Sequence, residues 1–146
     1  MPTLHDPGVL ASLRSRVESL RPDVTPRWGR MSVDQMLWHV NQTMEQCVGR
    51  YSPPESKKPL PAPLLKFIVL NMPWPKNAPT NPGFVAQTRH DFAAERARCL
   101  TLIDEIAKRD LAAAWPVNRD FGRMSGKDWS RLQAKHLDHH LRQFGA

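Results

Sequence analysis

The sequence predicts an all-α fold, a four-helix bundle with crossover connections and one short extra helix. Two observations carry this expectation. Apolar residues recur at helical spacing along four long stretches, and no run of alternating β-branched residues interrupts them. The prolines cluster at 53–63 and 73–82, which cannot be helix interiors because proline lacks a donor and clashes with the preceding turn. A length of 146 residues favours a single domain spanning 1–146.

The first helix is expected after Asp6, a good N-cap, with Pro7 at the first helical position. Its stripe is Val9, Leu10, Leu13, Val17 and Leu20, and Arg21-Pro22 ends it. The second helix starts at Ser32. Ser32 and Gln35 make a capping-box pattern, and Met31 stands as a staple partner for Met36. Its stripe runs through Val33, Met36, Leu37, Val40, Met44, Cys47 and Val48, and Gly49 or the 51–54 run stops it. A short third helix is expected over 62–71. It lies in the apolar run 61–74 and reads as buried. The fourth covers 88–108, with Phe92, Cys99, Ile103 and Ile106 inward. The last begins at Ser125, capped by the Ser-x-x-Asp spacing to Asp128, and runs to Arg142. The long connection holding the third helix argues against a simple up-down series, so one or two crossovers are expected.

Lys plus Arg number 21 against 14 Asp plus Glu, a net charge of +7. That balance raises the question of an anionic partner. The basic residues are scattered, as at Arg14 and Arg16, Arg27 and Arg30, Lys57 and Lys58, Arg96 and Arg98, and Arg119 and Arg123. No helix-turn-helix, zinc finger or stacking motif accompanies them, so no nucleic-acid partner is expected. The best apolar run, 61–74, is broken by Lys66 and Asn71 and falls short of the roughly 20 residues of a membrane span. No membrane partner is expected. The first residues lack a basic stretch followed by an apolar core. Cys47 and Cys99 sit in apolar-periodic segments without a CxxC pair and read as buried reduced thiols. A cytoplasmic location follows as the expectation. The five tryptophans read as core and interface anchors.

The histidines are the informative feature. His136 and His140 lie at i and i+4 of the last helix, within about 40° of each other around its axis. Two imidazoles so placed reach one ion from adjacent turns. Trp129, Leu132, Gln133 and Phe144 fall within about 80° of His136, whereas Arg131, Lys135 and Arg142 fall opposite. The pair therefore faces the core, where an imidazole needs a hydrogen bond or a ligand. His139 sits about 60° to the side. His39 is the best third ligand. It is mid-helix at the edge of an apolar stripe, with Thr43 one turn on and Gln46 beyond. Three histidines leave coordination positions open for water or substrate, and imidazole suits zinc, nickel, copper or iron. His5 and His90, each beside an acid near a helix start, read as surface or capping residues.

A histidine in the second helix followed by His-x-x-x-His near the end resembles the DinB/YfiT-like superfamily of metal-dependent four-helix proteins. Further pieces extend the resemblance over nearly the whole chain: Arg27-Trp-Gly-Arg-Met-Ser, Gln35-Met-Leu-Trp-His, Asn71-Met-Pro-Trp-Pro-Lys-Asn-Ala-Pro-Thr, Phe121-Gly-Arg-Met-Ser with Trp129, and Lys135-His-Leu-Asp-His-His-Leu-Arg-Gln-Phe-Gly. The resemblance implies a DinB-like bundle, often dimeric, holding a divalent transition metal, zinc or nickel foremost, on His39, His136 and His140. It also implies a small-molecule substrate, a low-molecular-weight thiol among the candidates, and chemistry of the thiol S-transferase or hydrolase type. For the enzyme, His139 is expected as a catalytic proton shuttle or as a group that orients a ligand, and the 72–83 loop reads either as a stiff crossover or as a cover over the site, with Lys76 attracting an anionic substrate. The alternative expectation is a metal- or ligand-binding stress-response protein without catalysis.

Overall fold

In the computed structural model, which describes residues 1–146, five α-helices form and no strand does, apart from an isolated bridge between Asn118 and Gly122. They are α1 (Pro7–Glu18), α2 (Val33–Cys47), α3 (Ala62–Asn71), α4 (Phe92–Lys108) and α5 (Gly126–Gln143), with one 3₁₀ turn at Pro82–Phe84. The all-α expectation holds. No helix is long and apolar enough to cross a membrane.

The helix ends obey local chemistry, with two departures. Asp6 precedes α1, but its carboxylate does not cap it. Oδ2 accepts from the Thr3 backbone N–H at 2.8 Å and from the Thr3 hydroxyl at 3.1 Å, tightening the turn before the helix. The start of α4 is Phe92 rather than 88, because Asp91 is the true N-cap and accepts from Ala94 N–H at 2.8 Å. Residues 89 and 90 are engaged instead by Asp34, which takes the Arg89 guanidinium and the His90 N–H. At α2, Gln35 Oε1 accepts from Ser32 N–H at 3.1 Å, and Gly49 follows the helix with a φ of 84° that favours glycine. At α5, Ser125 and Asp128 bond reciprocally, as their spacing predicts.

α1 packs against α4 and α5, and α2 packs against the same two helices, most extensively against α4. α1 and α2 therefore lie on one diagonal of the bundle, and α4 and α5 on the other. The chain crosses the bundle twice, between α1 and α2 and between α4 and α5. Leu13, Val17, Met36, Leu37, Met44, Ile103, Ile106, Leu137 and Leu141 meet in the centre. Each such side chain contributes about 1.5–3 kcal/mol on burial. Cys47 and Cys99 are buried there and unpaired.

Of the five tryptophans Trp129 is fully buried, with its N–H donated to the Pro116 carbonyl at 2.9 Å; Trp74 and Trp115 are half-buried and pack against the core, and Trp28 and Trp38 are half-buried. One expectation needs correction. α3 is not a buried helix. It lies on the outside of α5, buries only Leu70, and leaves Leu64, Phe67 and Ile68 exposed, Phe67 at 59%, with Met72 exposed just after it. A helix that packs on a single neighbour has one covered face, and α3 is apolar on more than one.

Candidate metal centre

The site is built where α2 faces α5. His39 projects from the middle of α2, and His136 and His140 from successive turns of α5. Their ligand atoms lie within 4.8 Å of one another. His39 Nε2 is 2.9 Å from His136 Nε2, and His140 Nε2 is 3.1 Å from the same atom. His39 and His140 are 5% and 8% exposed, and His136 is partly open.

The partner at each Nδ1 fixes what each Nε2 can do. His39 Nδ1–H donates to the Phe84 carbonyl at 2.7 Å. His140 Nδ1–H donates to Gln143 Oε1 at 2.7 Å, and Gln143 is oriented in turn because its amide donates to the Trp28 carbonyl at 2.9 Å. Thr43 gives its single hydroxyl proton to the Val40 carbonyl at 2.8 Å, so its oxygen accepts from His136 Nδ1–H at 3.2 Å. With every Nδ1 protonated, all three Nε2 atoms carry lone pairs. Their close approaches are then lone pair against lone pair, repulsive until a cation stands between them.

That donor set fits a metal ion. Nitrogens at about 2.0–2.1 Å from one ion sit about 2.9 Å apart at right angles and about 3.3 Å apart in a tetrahedron, and the two separations to His136, 2.9 and 3.1 Å, fall in that interval, with all three ligand atoms inside 4.8 Å. Protonation does not compete near neutral pH. Burial is the main cause of the low basicity of all three rings, holding His140 down to about 3 and His136 well below the ordinary imidazole range. Their mutual proximity adds to it. His39 is lowered by burial too, partly offset by the Phe84 carbonyl. Neutral rings are what a metal needs.

His139 stands beside the cluster rather than in it. Its ring is 5.1 Å from that of His140, between Trp28 at 5.7 Å and Trp74 at 5.5 Å. Trp74, from the loop after α3, also lies 5.7 Å from His136, and Lys76 Nζ is 5.3 Å from the Trp28 ring centre. The loop therefore meets the partly open side of the cluster. Gln46 takes no part. It lines a separate cavity of about 330 Å³ with Tyr51 and Pro116.

Of the other two histidines, His5 is not a surface or capping group. His5 Nε2–H donates to the Arg109 carbonyl at 2.8 Å, and Nδ1 accepts from the buried Ser130 hydroxyl at 2.8 Å, which ties the N-terminal turn to α5 and to the end of α4. His90 stacks on Trp38 with ring centres 5.2 Å apart. A sequence shows the acid beside each histidine but not the distant partner that engages the ring.

A family model of the DinB superfamily matches residues 9–144. The chain belongs to the DinB superfamily, and its helical bundle agrees with that membership. No curated protein and no solved structure matches the chain.

Proposed function

We propose that the chain is a metal-dependent enzyme whose divalent ion, zinc or nickel, is held by His39, His136 and His140. The observation that supports it is the convergence of three Nε2 lone pairs, each directed by a hydrogen bond at its own Nδ1. A bound divalent ion supplies Lewis-acid chemistry: it acidifies a thiol or water and stabilises developing negative charge. The chain's own residues do the rest. Phe84, Thr43 and Gln143 hold the imidazoles in one tautomer. Trp74 and Trp28 restrict water at the open side. His139 moves a proton at an imidazole nitrogen near the reacting group, a role supported by its position between those rings and beside His140. The reaction class that suits this arrangement is transfer to or from a small thiol, or hydrolysis. The same reading takes the chain as one domain working in the cytoplasm as a homodimer, with the exposed apolar face of α3 supporting a second copy.

The alternative is a metal- or ligand-holding bundle without catalysis. A panel of small thiols with electrophilic acceptors, and of esters and amides, separates the two when assayed after chelation and after Zn²⁺ or Ni²⁺ is restored. Turnover that returns with metal and drops at least about 100-fold in His136→Ala supports the enzyme. Retained metal without turnover on any substrate supports the binding protein.

A further inference from the structure

We infer that Trp28 and Lys76 form an anion-recognition subsite beside the three-histidine cluster, taking the carboxylate of a substrate whose flat apolar body lies against Trp74. This rests on the reading of the cluster as the reactive centre and names the substrate class that reading leaves open. Three observations lead to it. First, the Trp28 indole N–H is buried and meets no acceptor in the protein. Buried donors are almost always paired, so this one calls for an acceptor, which a ligand would supply once a side chain covering the indole edge moves aside. Second, the Lys76 ammonium sits over the same indole and makes no ion pair or hydrogen bond to the chain. Trp74 differs, since its N–H is already spent on the Val69 carbonyl at 2.8 Å and the Lys135 ammonium lies 5.1 Å from its ring centre. Trp74 is therefore a fixed wall, and Trp28 is a wall with a free donor.

Third, the segment that delivers Lys76 and Trp74 carries no acid. From 56 to 90 the chain carries Lys57, Lys58, Lys66, Lys76 and Arg89 and no Asp or Glu. On α5 the acid nearest His139 in sequence is Asp138, and its oxygens are taken by Arg16 at 2.7 Å and Arg142 at 2.9 Å. One N–H and one ammonium match a singly charged, two-oxygen acceptor. Two indoles either side of His139 match a planar, apolar body.

Isothermal titration of 2-naphthoate and its neutral analogue 2-naphthamide tests the subsite in protein stripped with EDTA and in protein reloaded with Zn²⁺. The stripped protein removes the ion as a partner for the carboxylate. The expected result there is naphthoate binding at least about tenfold tighter than the amide. Trp28→Phe, which keeps a ring and deletes the donor, should weaken naphthoate at least about fivefold, and Lys76→Met should erase the preference for acid over amide. Circular dichroism and melting of each variant check that the fold persists. Equal affinity for acid and amide, no binding of either, or an unaffected Trp28→Phe protein overturns the inference. Loss of metal retention with naphthoate binding intact counts against the metal centre alone, so the two failures are distinguishable.

Discussion

His39, His136 and His140 are directed by partners that differ in kind: a backbone carbonyl, a hydroxyl and a side-chain amide. Removing one partner leaves the imidazole present but free to turn or change tautomer. Gln143→Leu should therefore lower Zn²⁺ affinity about 10–100-fold while the chain stays folded, measured by competition with a chromophoric chelator. Affinity unchanged in that variant would mean that Gln143 does not orient His140. The paired histidines of α5 were legible because i and i+4 share a face. Gln143 was within reach of the same reasoning, one turn beyond His140, but an amide there carries no signal of its own. The Phe84 carbonyl was not legible at all. It is a backbone acceptor 45 residues from His39, in a segment without periodicity. Trp28 and Trp74 were visible as motif residues, yet nothing in their spacing placed them around His139.

At the scale of elements, the start of α5 carries much of the site's geometry, since that helix supplies two of the three imidazoles. Gly126 is the first residue of α5, and a Cβ there would run into the Trp115 indole and the Leu111 carbonyl. Gly126→Ala should cost about 1–3 kcal/mol through this overpacking, read from chemical denaturation. Stability equal to the parent chain would show that the 111–115 turn yields freely. Helix interiors and the Ser-initiated caps of α2 and α5 could be read from the sequence because caps and periodicity are local. Asp6 could not, because Thr3 competes for its carboxylate. The α4 start was misread for a related reason: Thr88-Arg-His-Asp looks helical until Asp34, on another element, claims Arg89 and His90. The exposure of α3 is tertiary as well, since an apolar run does not reveal how many neighbours cover it.

Over the whole molecule, the Asp34–Arg89 clamp ties the long connection between α3 and α4 to the start of α2, and its charge predicts how stability follows pH. Burial alone raises the Asp34 pKa. The Arg89 guanidinium and the His90 N–H outweigh it and hold the carboxyl well below the usual range. The folded state then binds fewer protons than the unfolded state, whose carboxyl titrates near about 3.9. The stabilisation is present above that pH and is lost as pH falls through the folded value. Asp34→Asn should melt below the parent chain at pH 6, with the gap narrowing toward about pH 3, followed by circular dichroism. A gap that stays constant over that range would remove the carboxylate charge from the account. The segment that the clamp pins also delivers Phe84 to His39.

Whether the three-histidine cluster holds a divalent ion is decided by elemental analysis of protein purified without a histidine tag. The expected result is roughly one transition-metal ion per chain, lost in His136→Ala. Less than about a tenth of an equivalent of any transition metal in the parent chain, unchanged by that substitution and not restored by added Zn²⁺ or Ni²⁺, would contradict it.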